Sequence, residues 1–316
     1  MALPPILQNL SIPVVGAPLF IVSTPDLVIA QCKAGIVGSF PALNARPASL
    51  LGEWLARIKE ELAAHDAKHP DRPSAPFAVN QIVHKSNTRL EEDLRTCVEH
   101  QVPIMITSLG ARKEVYDAAH SYGGVVFHDV INQFFAHKAV DKGADGLILV
   151  AAGAGGHAGT QSPFAIVQET RAWFDGPILL SGCIAQGGAV LAAQAMGADL
   201  AYVGSAFIAT EEAQAHPEYK QMIVDSHAED IIYSDKFSGV HGNYLKPSLV
   251  RAGMDPDAIE SQDANHMDFG SLDGSKAWKD IWGSGQGIGV VDAVTSVEAR
   301  VARMREEYDV ARSRLV

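Results

Sequence analysis

Residues 149–160 read LVAAGAGGHAGT, an apolar run that ends in four glycines around one histidine. The run 146–152 predicts a buried strand, and the glycines predict a loop in which backbone can approach a ligand closely. His157 is the one titratable side chain of this loop, and an unperturbed histidine titrates near neutral pH, as proton transfer requires. The stretch therefore indicates either the active-site loop of an α/β enzyme or a flexible loop with an incidental histidine.

The chain as a whole is long and acidic. Its 316 residues, 47% of them apolar, suffice for one large α/β domain or for one domain with a smaller cap. The formal net charge of −12 disfavours nucleic acid or an anionic membrane surface as a partner. The sequence predicts no membrane span, because no apolar run approaches the roughly 18 residues that a spanning helix needs.

The three cysteines bear on metal binding and on location. Cys32, Cys97 and Cys183 lie far apart and show no metal-ligand spacing. They predict reduced thiols in a cytoplasmic protein without a metal site. The first residues, MALPP, have neither the basic region nor the apolar run of a signal peptide, which also indicates a cytoplasmic location.

Short apolar runs alternate with amphipathic helical patterns over the first 209 residues. The predicted strands cover residues 12–16, 36–40, 77–81, 104–108, 125–129, 146–152, 177–181 and 200–203. Most are apolar throughout, which indicates strands buried on both faces and hence a parallel sheet. Eight such units favour a closed (β/α)8 barrel over an open doubly wound sheet. The first strand leads into GAPL at 16–19, so the GxGxxG motif of dinucleotide-binding folds is absent there.

The sequence changes character after residue 209. Residues 210–289 are mostly polar, rich in Asp and His and without buried strand patterns, and they predict a mostly helical cap inserted in the last βα unit. Residues 290–315 then predict a long amphipathic helix that completes the outer ring of helices. We therefore expect a barrel formed by residues 1–209 and 290–316. Trp278 and Trp282 are expected to pack the cap against it.

Two loops of small residues follow the seventh and eighth predicted strands. They read SGCIAQGG at 181–188 and GSAF at 204–207, and each precedes a predicted helix. Free backbone N–H groups and the helix dipole at such places bind phosphate, and barrels often use these two loops for that purpose. The alternative is a pair of tight turns without a ligand.

Taken in order along the chain, these stretches resemble the nitronate monooxygenase family of FMN-dependent barrels. The similarity rests on APL at 17–19, the glycines around His157, the segments 181–188, 197–199 and 204–212, and GQG at 285–287. It covers nearly the whole chain and implies an FMN cofactor. Because the family includes nitronate oxidisers, NAD(P)H:quinone reductases and flavin-dependent enoyl reductases, the resemblance indicates the cofactor more directly than the substrate.

The resemblance also implies roles for individual residues, with His157 as the catalytic base. The implied cofactor-binding residues are Ala17, Pro18 and Leu19 along the isoalloxazine ring, Asn80 at the polar edge of the flavin, Gly156 in the glycine loop, Ser181, Gly182, Cys183, Gly204 and Ser205 around the phosphate, and Gln286 on the cap side.

Several positions depart from the pattern of the family. Leu19 stands where Met is usual, and Cys183 replaces a Gly of the phosphate loop. Asp129 stands where a Lys is common, and a carboxylate there would repel an anionic flavin. Ser205 and Ala206 replace a Thr-Arg pair, which removes a cation near the phosphate. These departures indicate a divergent subgroup and weaken the transfer of substrate identity.

Further candidate residues would bind the substrate. His128 ends the fifth predicted strand, where it either binds a ligand or makes a structural hydrogen bond. The cap segment 233–247 mixes aromatic residues, glycines and cations, and it predicts a lid whose Tyr233, His241 or Lys246 contacts an anionic substrate. The alternative is a packed connection between helices.

The sequence thus predicts an FMN enzyme that oxidises alkyl nitronates, or neutral nitroalkanes, with O2 to a carbonyl compound and nitrite. The redox chemistry would belong to the cofactor, while the protein binds and orients the substrate. NAD(P)H-dependent reduction of quinones or enoyl thioesters is the alternative on the same barrel, and a flavin-free binding protein is a third hypothesis. A small anionic substrate and O2 are the expected partners, and a homodimer is left open.

Overall fold

Eight parallel strands form a barrel at the centre of the molecule, in a computed structural model that describes residues 3–237, 239–259 and 281–315. The barrel strands are β1 (Val14–Gly16), β2 (Gly38–Pro41), β3 (Phe77–Ile82), β4 (Ile104–Ser108), β5 (Val125–Val130), β6 (Gly146–Val150), β8 (Ile178–Ser181) and β9 (Leu200–Val203), and a smaller sheet contains β7 (Gly156–His157), β10 (Ile231–Ser234) and β11 (Gly242–Leu245). Around the barrel the order is β1-β9-β8-β6-β5-β4-β3-β2, and a parallel bridge between Val15 and Val37 joins the two ends. The predicted (β/α)8 barrel is therefore confirmed.

Helices surround the barrel and continue into the cap. They are α1 (Pro25–Lys33), α2 (Leu50–Lys68), α3 (Leu90–Glu99), α4 (Lys113–His120), α5 (Gln133–Asp141), α6 (Pro163–Arg171), α7 (Gly187–Met196), α8 (Ser205–Ile208), α9 (Pro217–Asp225), α10 (Lys246–Arg251) and α11 (Val297–Ser313). Local sequence sets several of their starts. Proline at the first position begins α1 and α6, and the Asn132 side chain caps α5 by accepting from the Phe135 N–H. In the described part of the chain, none of the helices combines the length and apolar character needed to cross a bilayer.

Side chains alternate along each barrel strand between the interior and the layer under the helices. Ile106, Phe127 and Ile148 pack together inside the barrel, whereas Met105 and Val126 pack outward against helical residues. The same alternation brings the last inward positions to the carboxyl end of the barrel. Those positions carry Asn80, Ser108, Asp129, Val150, Ser181 and Tyr202. The pleat of the strands thus gives this end of the barrel a largely polar floor.

The C-terminal helix α11 completes the outer ring, as the sequence predicts. It packs between α7 and α1, and the Tyr308 hydroxyl donates to Gln194 Oε1 at 2.5 Å. Gly187 allows this close approach, because an added Cβ would lie 1.9 Å from the Met304 carbonyl oxygen. The eighth strand and its outer helix are therefore separated in sequence by the whole cap.

The cap differs from the sequence prediction because it contains strands. Strands β10 and β11 pair antiparallel, and β11 also pairs with β7, which places Gly242 opposite His157. All four residues of β11 are buried, so the expectation that the cap lacks buried strands is corrected for the described residues. Trp282 is buried in the cap as expected, while Trp278 lies outside the described residues.

Candidate functional site

The carboxyl ends of the barrel strands open into a cavity of about 1010 Å³ beneath the cap. Its floor is the polar layer of inward-facing residues, and its walls are the loops that follow the strands. Of the sixteen residues predicted to be catalytic or to bind cofactor or substrate, twelve line it: Ala17, Pro18, Leu19, Asn80, His128, Gly156, His157, Ser181, Gly182, Cys183, Gly204 and Ser205. The fold therefore brings the predicted flavin-binding segments to one place.

The glycine loop after β6 needs its glycines for two different reasons. Gly153 and Gly156 have φ angles of 80° and 66°, which side-chain-bearing residues rarely adopt. A Cβ on Gly155 would lie 2.7 Å from the Gly285 N, so the loop and the chain after the cap meet backbone to backbone. A Cβ on Gly156 would meet no atom of the described residues within 4 Å. The wall at Gly156 therefore faces open space, as a site of close ligand approach requires.

His157 is fixed by the small sheet that links the barrel to the cap. Its backbone lies in β7 opposite Gly242 of β11, and its half-buried side chain lines the cavity. Burial lowers the pKa of His157 to about 4. The imidazole is therefore neutral at pH 7, and a neutral imidazole can accept a proton at one nitrogen or donate a hydrogen bond from the other.

The loop after β8 has the backbone of an anion-binding turn. Gly182 and Cys183 both have positive φ angles, 125° and 60°. No protein acceptor for the backbone N–H groups of Gly182, Cys183 and Ser205 is found among the described residues, and all three residues line the cavity. Because backbone donors require a partner, a ligand anion or water is expected there. Cys183 therefore has a conformation that favours glycine, the residue which the family resemblance expects at this position.

The N-terminus of α7 is occupied by a carboxylate of the protein itself. The Gly187 N–H donates to Glu307 Oε2 of α11 at 2.9 Å. The positive end of this helix dipole is thus already matched by a negative charge. The Gly187 N–H is therefore occupied by Glu307, and the N–H groups of Gly182, Cys183 and Ser205 are the donors that we expect to bind a phosphate.

A short chain of hydrogen bonds in the floor ends at Asp129. The Asn80 amide donates to Ser108 Oγ at 2.7 Å, and the Ser108 hydroxyl donates to Asp129 Oδ2 at 2.5 Å. Burial raises the pKa of Asp129 to about 7, and the nearby Asp129 charge adds to the effect of burial in raising the pKa of Tyr202. Near neutral pH Asp129 is therefore partly protonated, which reduces the repulsion of an anionic flavin that its charge would cause.

The His128 side chain lies on the face of β5 opposite to that of Asp129, away from the barrel interior. Its Nδ1 lies 2.7 Å from Thr107 Oγ1 and 3.0 Å from the Tyr116 hydroxyl, in the layer between β5 and α4. Burial lowers the pKa of His128 to about 4, with a smaller effect from Lys142. Although His128 touches the cavity wall, this arrangement supports the structural hydrogen bond and not the proposed contact with substrate, because strand alternation turns the ring outward.

Four predicted residues lie outside the cavity wall. The exposed Gln286 side chain has its Oε1 3.9 Å from Cys183 Sγ, while its backbone N–H donates to the Gly153 carbonyl. The Tyr233 hydroxyl donates to the Ala158 carbonyl, and its ring stacks on His241 with centroids 5.0 Å apart. Lys246 Nζ donates to the Glu229 carbonyl at 2.8 Å. In this structure Tyr233, His241 and Lys246 make contacts within the cap or from the cap to the glycine loop, and their contacts with substrate remain predictions.

The cavity wall also contains residues that the sequence did not single out as site residues. Tyr202 forms part of the floor, and strict alternation along its strand would have indicated it. Arg251, Trp282, Tyr219 and His216 line the cap side. No sequence signal predicts their meeting, because α9, α10 and residue 282 come together only through the tertiary structure of the cap. Across residues 3–237, 239–259 and 281–315, no group of three His, Cys, Asp or Glu side chains could hold a metal ion.

Known proteins share both the sequence pattern and the fold of this chain. The model of the nitronate monooxygenase family matches residues 67–307. A nitronate monooxygenase from Paraburkholderia phytofirmans is 25% identical over 78% of this chain and 77% of its own length. A Mycobacterium tuberculosis protein, named as a candidate monooxygenase, is 25% identical over 66% of this chain, and the match spans 60% of that protein.

The fold is also found in a solved structure of a nitroalkane oxidase from Streptomyces ansochromogenes. The two chains superpose with a TM-score of 0.81 at 22% identity, over 99% of this chain and 100% of the other. At this level of identity the superposition shows a shared fold. The family match extends over residues 67–307, which include the glycine loop after β6 and the loops after β8 and β9. The chain belongs to the nitronate monooxygenase family and is an oxidoreductase.

Proposed function

We propose that this protein is an FMN-dependent enzyme that oxidises alkyl nitronates with O2 to a carbonyl compound and nitrite. The observation that carries the proposal is a neutral histidine, His157, in the glycine wall of a cavity whose loops also present backbone N–H groups for which the described residues offer no acceptor. The backbone donors would hold the FMN phosphate, and His157 would accept a proton from a nitroalkane or donate a hydrogen bond to a nitronate in the same cavity.

The residues present fit FMN. The N–H groups of Gly182, Cys183 and Ser205 would hold the phosphate, and the open space at Gly156 would admit the ring system close to the backbone. Ala17, Pro18 and Leu19 provide an apolar wall, and the Asn80 amide lies at the floor for a polar edge. When bound, FMN would supply the electron acceptor of the reaction.

The role of His157 depends on the substrate's charge. With a neutral nitroalkane, an imidazole nitrogen would accept the proton from the carbon that bears the nitro group. With a preformed nitronate no proton has to be removed, and the imidazole N–H would donate to a nitronate oxygen. The apolar parts of the wall, such as Leu19 and Phe135, would exclude water from the reacting carbon.

The visible absorbance spectrum of the purified protein is the first test, followed by aerobic nitrite release from ethyl nitronate and nitroethane. We expect His157→Asn to keep FMN, to lose at least about 100-fold in turnover of nitroethane, and to lose less with ethyl nitronate. His69→Asn, at an exposed position after α2, is the control and should resemble the wild type. Unchanged nitroethane turnover in the His157 variant would contradict the base assignment.

The size of the cavity favours a second candidate, an NAD(P)H-dependent reductase of quinones or enoyl thioesters. A volume of about 1010 Å³ lies at the upper end of ordinary small-molecule sites, which leaves room for a second large ligand beside a flavin. Anaerobic mixing with NADH or NADPH separates the two candidates, since rapid bleaching of the flavin supports the reductase. A colourless protein that takes up no FMN would support a flavin-free binding protein instead.

A further inference from the structure

Arg251 is the one Lys or Arg among the described residues that line the cavity. It ends α10 and reaches the cavity from the cap, opposite the floor that carries Asp129. From this position we infer that Arg251 binds an oxyanion in the cavity. The inference rests on the proposed function, which supplies two such anions, the nitronate group of the substrate and the phosphate of FMN.

An aromatic platform holds the guanidinium in place. The Arg251 Cζ lies 3.9 Å from the centroid of the Trp282 ring. Trp282 is 5% exposed and stacks on Tyr219, with centroids 4.8 Å apart and an angle of 15° between the planes. The Tyr219 hydroxyl in turn donates to the Gly283 carbonyl. Stacking on a fixed ring pre-orients the planar guanidinium, which reduces the entropy lost when it binds an anion.

The acidic residue Glu218 partly neutralises the positive charge of Arg251. Arg251 Nη1 forms an ion pair with Glu218 Oε2 at 2.9 Å, and the Glu218 side chain is 60% exposed. Ion pairs this exposed are weak, so a ligand anion that approaches from the cavity competes with Glu218 on favourable terms. Glu218 therefore opposes anion binding, while Trp282 supports it. The two members of the ion pair should affect an anionic ligand in opposite directions.

The platform is continuous with the loop after β9. Gly283 accepts from Tyr219, and two residues further on the Gly285 N–H donates to Ser205 Oγ at 2.8 Å. Ser205 is also one of the residues whose backbone N–H lacks a protein acceptor in the described part of the chain. A phosphate held at this loop and a nitronate held near His157 would both lie in the cavity that Arg251 lines, and an experiment has to separate them.

The variants Arg251→Met and Glu218→Gln test the inference. If the anion is the substrate, Arg251→Met raises the KM for ethyl nitronate at least about tenfold and leaves the ratio of FMN to riboflavin affinity unchanged. If the anion is the cofactor phosphate, Arg251→Met weakens FMN at least about tenfold and leaves riboflavin unchanged, because riboflavin lacks the phosphate. In either case Glu218→Gln tightens the same ligand about two- to fivefold.

Two outcomes contradict the inference, and a third separates it from the proposed function. Unchanged ligand affinities in Arg251→Met contradict it, as do shifts of the same sign in Arg251→Met and Glu218→Gln, which would indicate a purely structural ion pair. Arg112→Met, which breaks a surface ion pair with Glu114, is the matched control. If the wild type releases no nitrite, the proposed function fails separately, and inorganic phosphate then decides: binding at least tenfold weaker in Arg251→Met supports the inference, and equal binding contradicts it.

Discussion

Gly182, in the loop after β8, is constrained both in its backbone conformation and in the space available for a side chain. Its φ is 125°, and an added Cβ would lie 2.8 Å from the Ala152 carbonyl oxygen. We expect Gly182→Ala to lower the free energy of unfolding by about 1–3 kcal/mol and to weaken FMN binding, because the loop must shift to relieve the contact. Denaturant unfolding and FMN titration measure the two effects.

A second glycine of the same loop region provides the control. A Cβ on Gly188, in α7, would lie 3.8 Å from the Ala311 Cβ, which is ordinary contact. Gly188→Ala should therefore change the free energy of unfolding by no more than about 1 kcal/mol, in the stabilising direction. Equal FMN affinity in the two variants would show that the loop after β8 does not hold the phosphate.

The raised pKa of Asp129 gives stability a defined pH dependence. Between its ordinary value of 3.8 and about 7, the unfolded chain has lost this proton while the folded protein retains it. The folded state binds more protons in this window, so the Asp129 contribution to stability falls as pH rises through it. We expect the unfolding free energy of Asp129→Asn, relative to the wild type, to increase from pH 4 to pH 7 and then to level off.

The difference in unfolding free energy between Asp129→Asn and the wild type isolates the contribution of Asp129. The lowered pKa values of His128 and His157 act in the opposite direction, because their unfolded forms bind more protons between pH 4 and pH 6.5 and stability rises with pH there. Both histidines are present in both proteins and cancel in the difference. A flat difference for Asp129→Asn would contradict the raised pKa of its carboxyl.

At the scale of the element, the short strand β7 depends on one buried amide. Asn243 in β11 is 2% exposed, and its Nδ2 donates to the Ala154 carbonyl at 2.7 Å, within the glycine loop. Asn243→Ala should cost about 1–3 kcal/mol because it leaves a buried carbonyl without a partner. It should also lower kcat on nitroethane, since β7 carries His157, and it should speed amide exchange in residues 153–158.

Lys246 supplies the control for this element. It lies directly after β11, but its Nζ donates to the Glu229 carbonyl and it does not line the cavity. Lys246→Met should leave kcat and KM within about twofold of the wild type. A KM for ethyl nitronate that rises with Lys246→Met and not with Asn243→Ala would restore the substrate contact that the sequence suggested.

The sequence predicted the barrel strands successfully because they are buried on both faces. The barrel strands are apolar throughout because helices cover one face and the barrel interior the other, so their pattern is readable without tertiary information. The strands of the cap are not readable in this way. Strand β11 has only the four residues GNYL, and it pairs with a two-residue strand that the sequence suggests is pure loop. Such short pairings are specified by tertiary contacts and not by periodicity.

The same limit applies to the site. The glycine loop and both phosphate-type loops could be predicted, because each follows a readable strand at the same end of the barrel. The orientation of His128 required the register of β5, and the place of Arg251 required the arrangement of α10 on Trp282. Residues on the barrel were thus located by counting strands, while residues on the cap could be assigned only from the structure.

At the scale of the whole molecule, the net charge of −12 opposes the approach of an anionic substrate. Salt screens this repulsion, because the Debye length falls from about 30 Å at 0.01 M to about 8 Å at 0.15 M. We expect kcat/KM for ethyl nitronate to rise with ionic strength over this range, and kcat/KM for neutral nitroethane to stay constant. A fall for the nitronate would mean that positive charge near the cavity, such as Arg251, dominates the encounter.

The position of α11 orders events during synthesis of the chain. Its residues follow the entire cap, yet they supply the eighth outer helix and the carboxylate on the Gly187 N–H. A ribosome that has released all eight barrel strands has therefore not yet released the helix that covers the seam between α7 and α1. Until residues 297–313 emerge, the nascent barrel exposes the apolar side chains that later pack beneath Val297, Val301 and Met304. This seam is where a chaperone that recognises apolar surface would bind the growing chain.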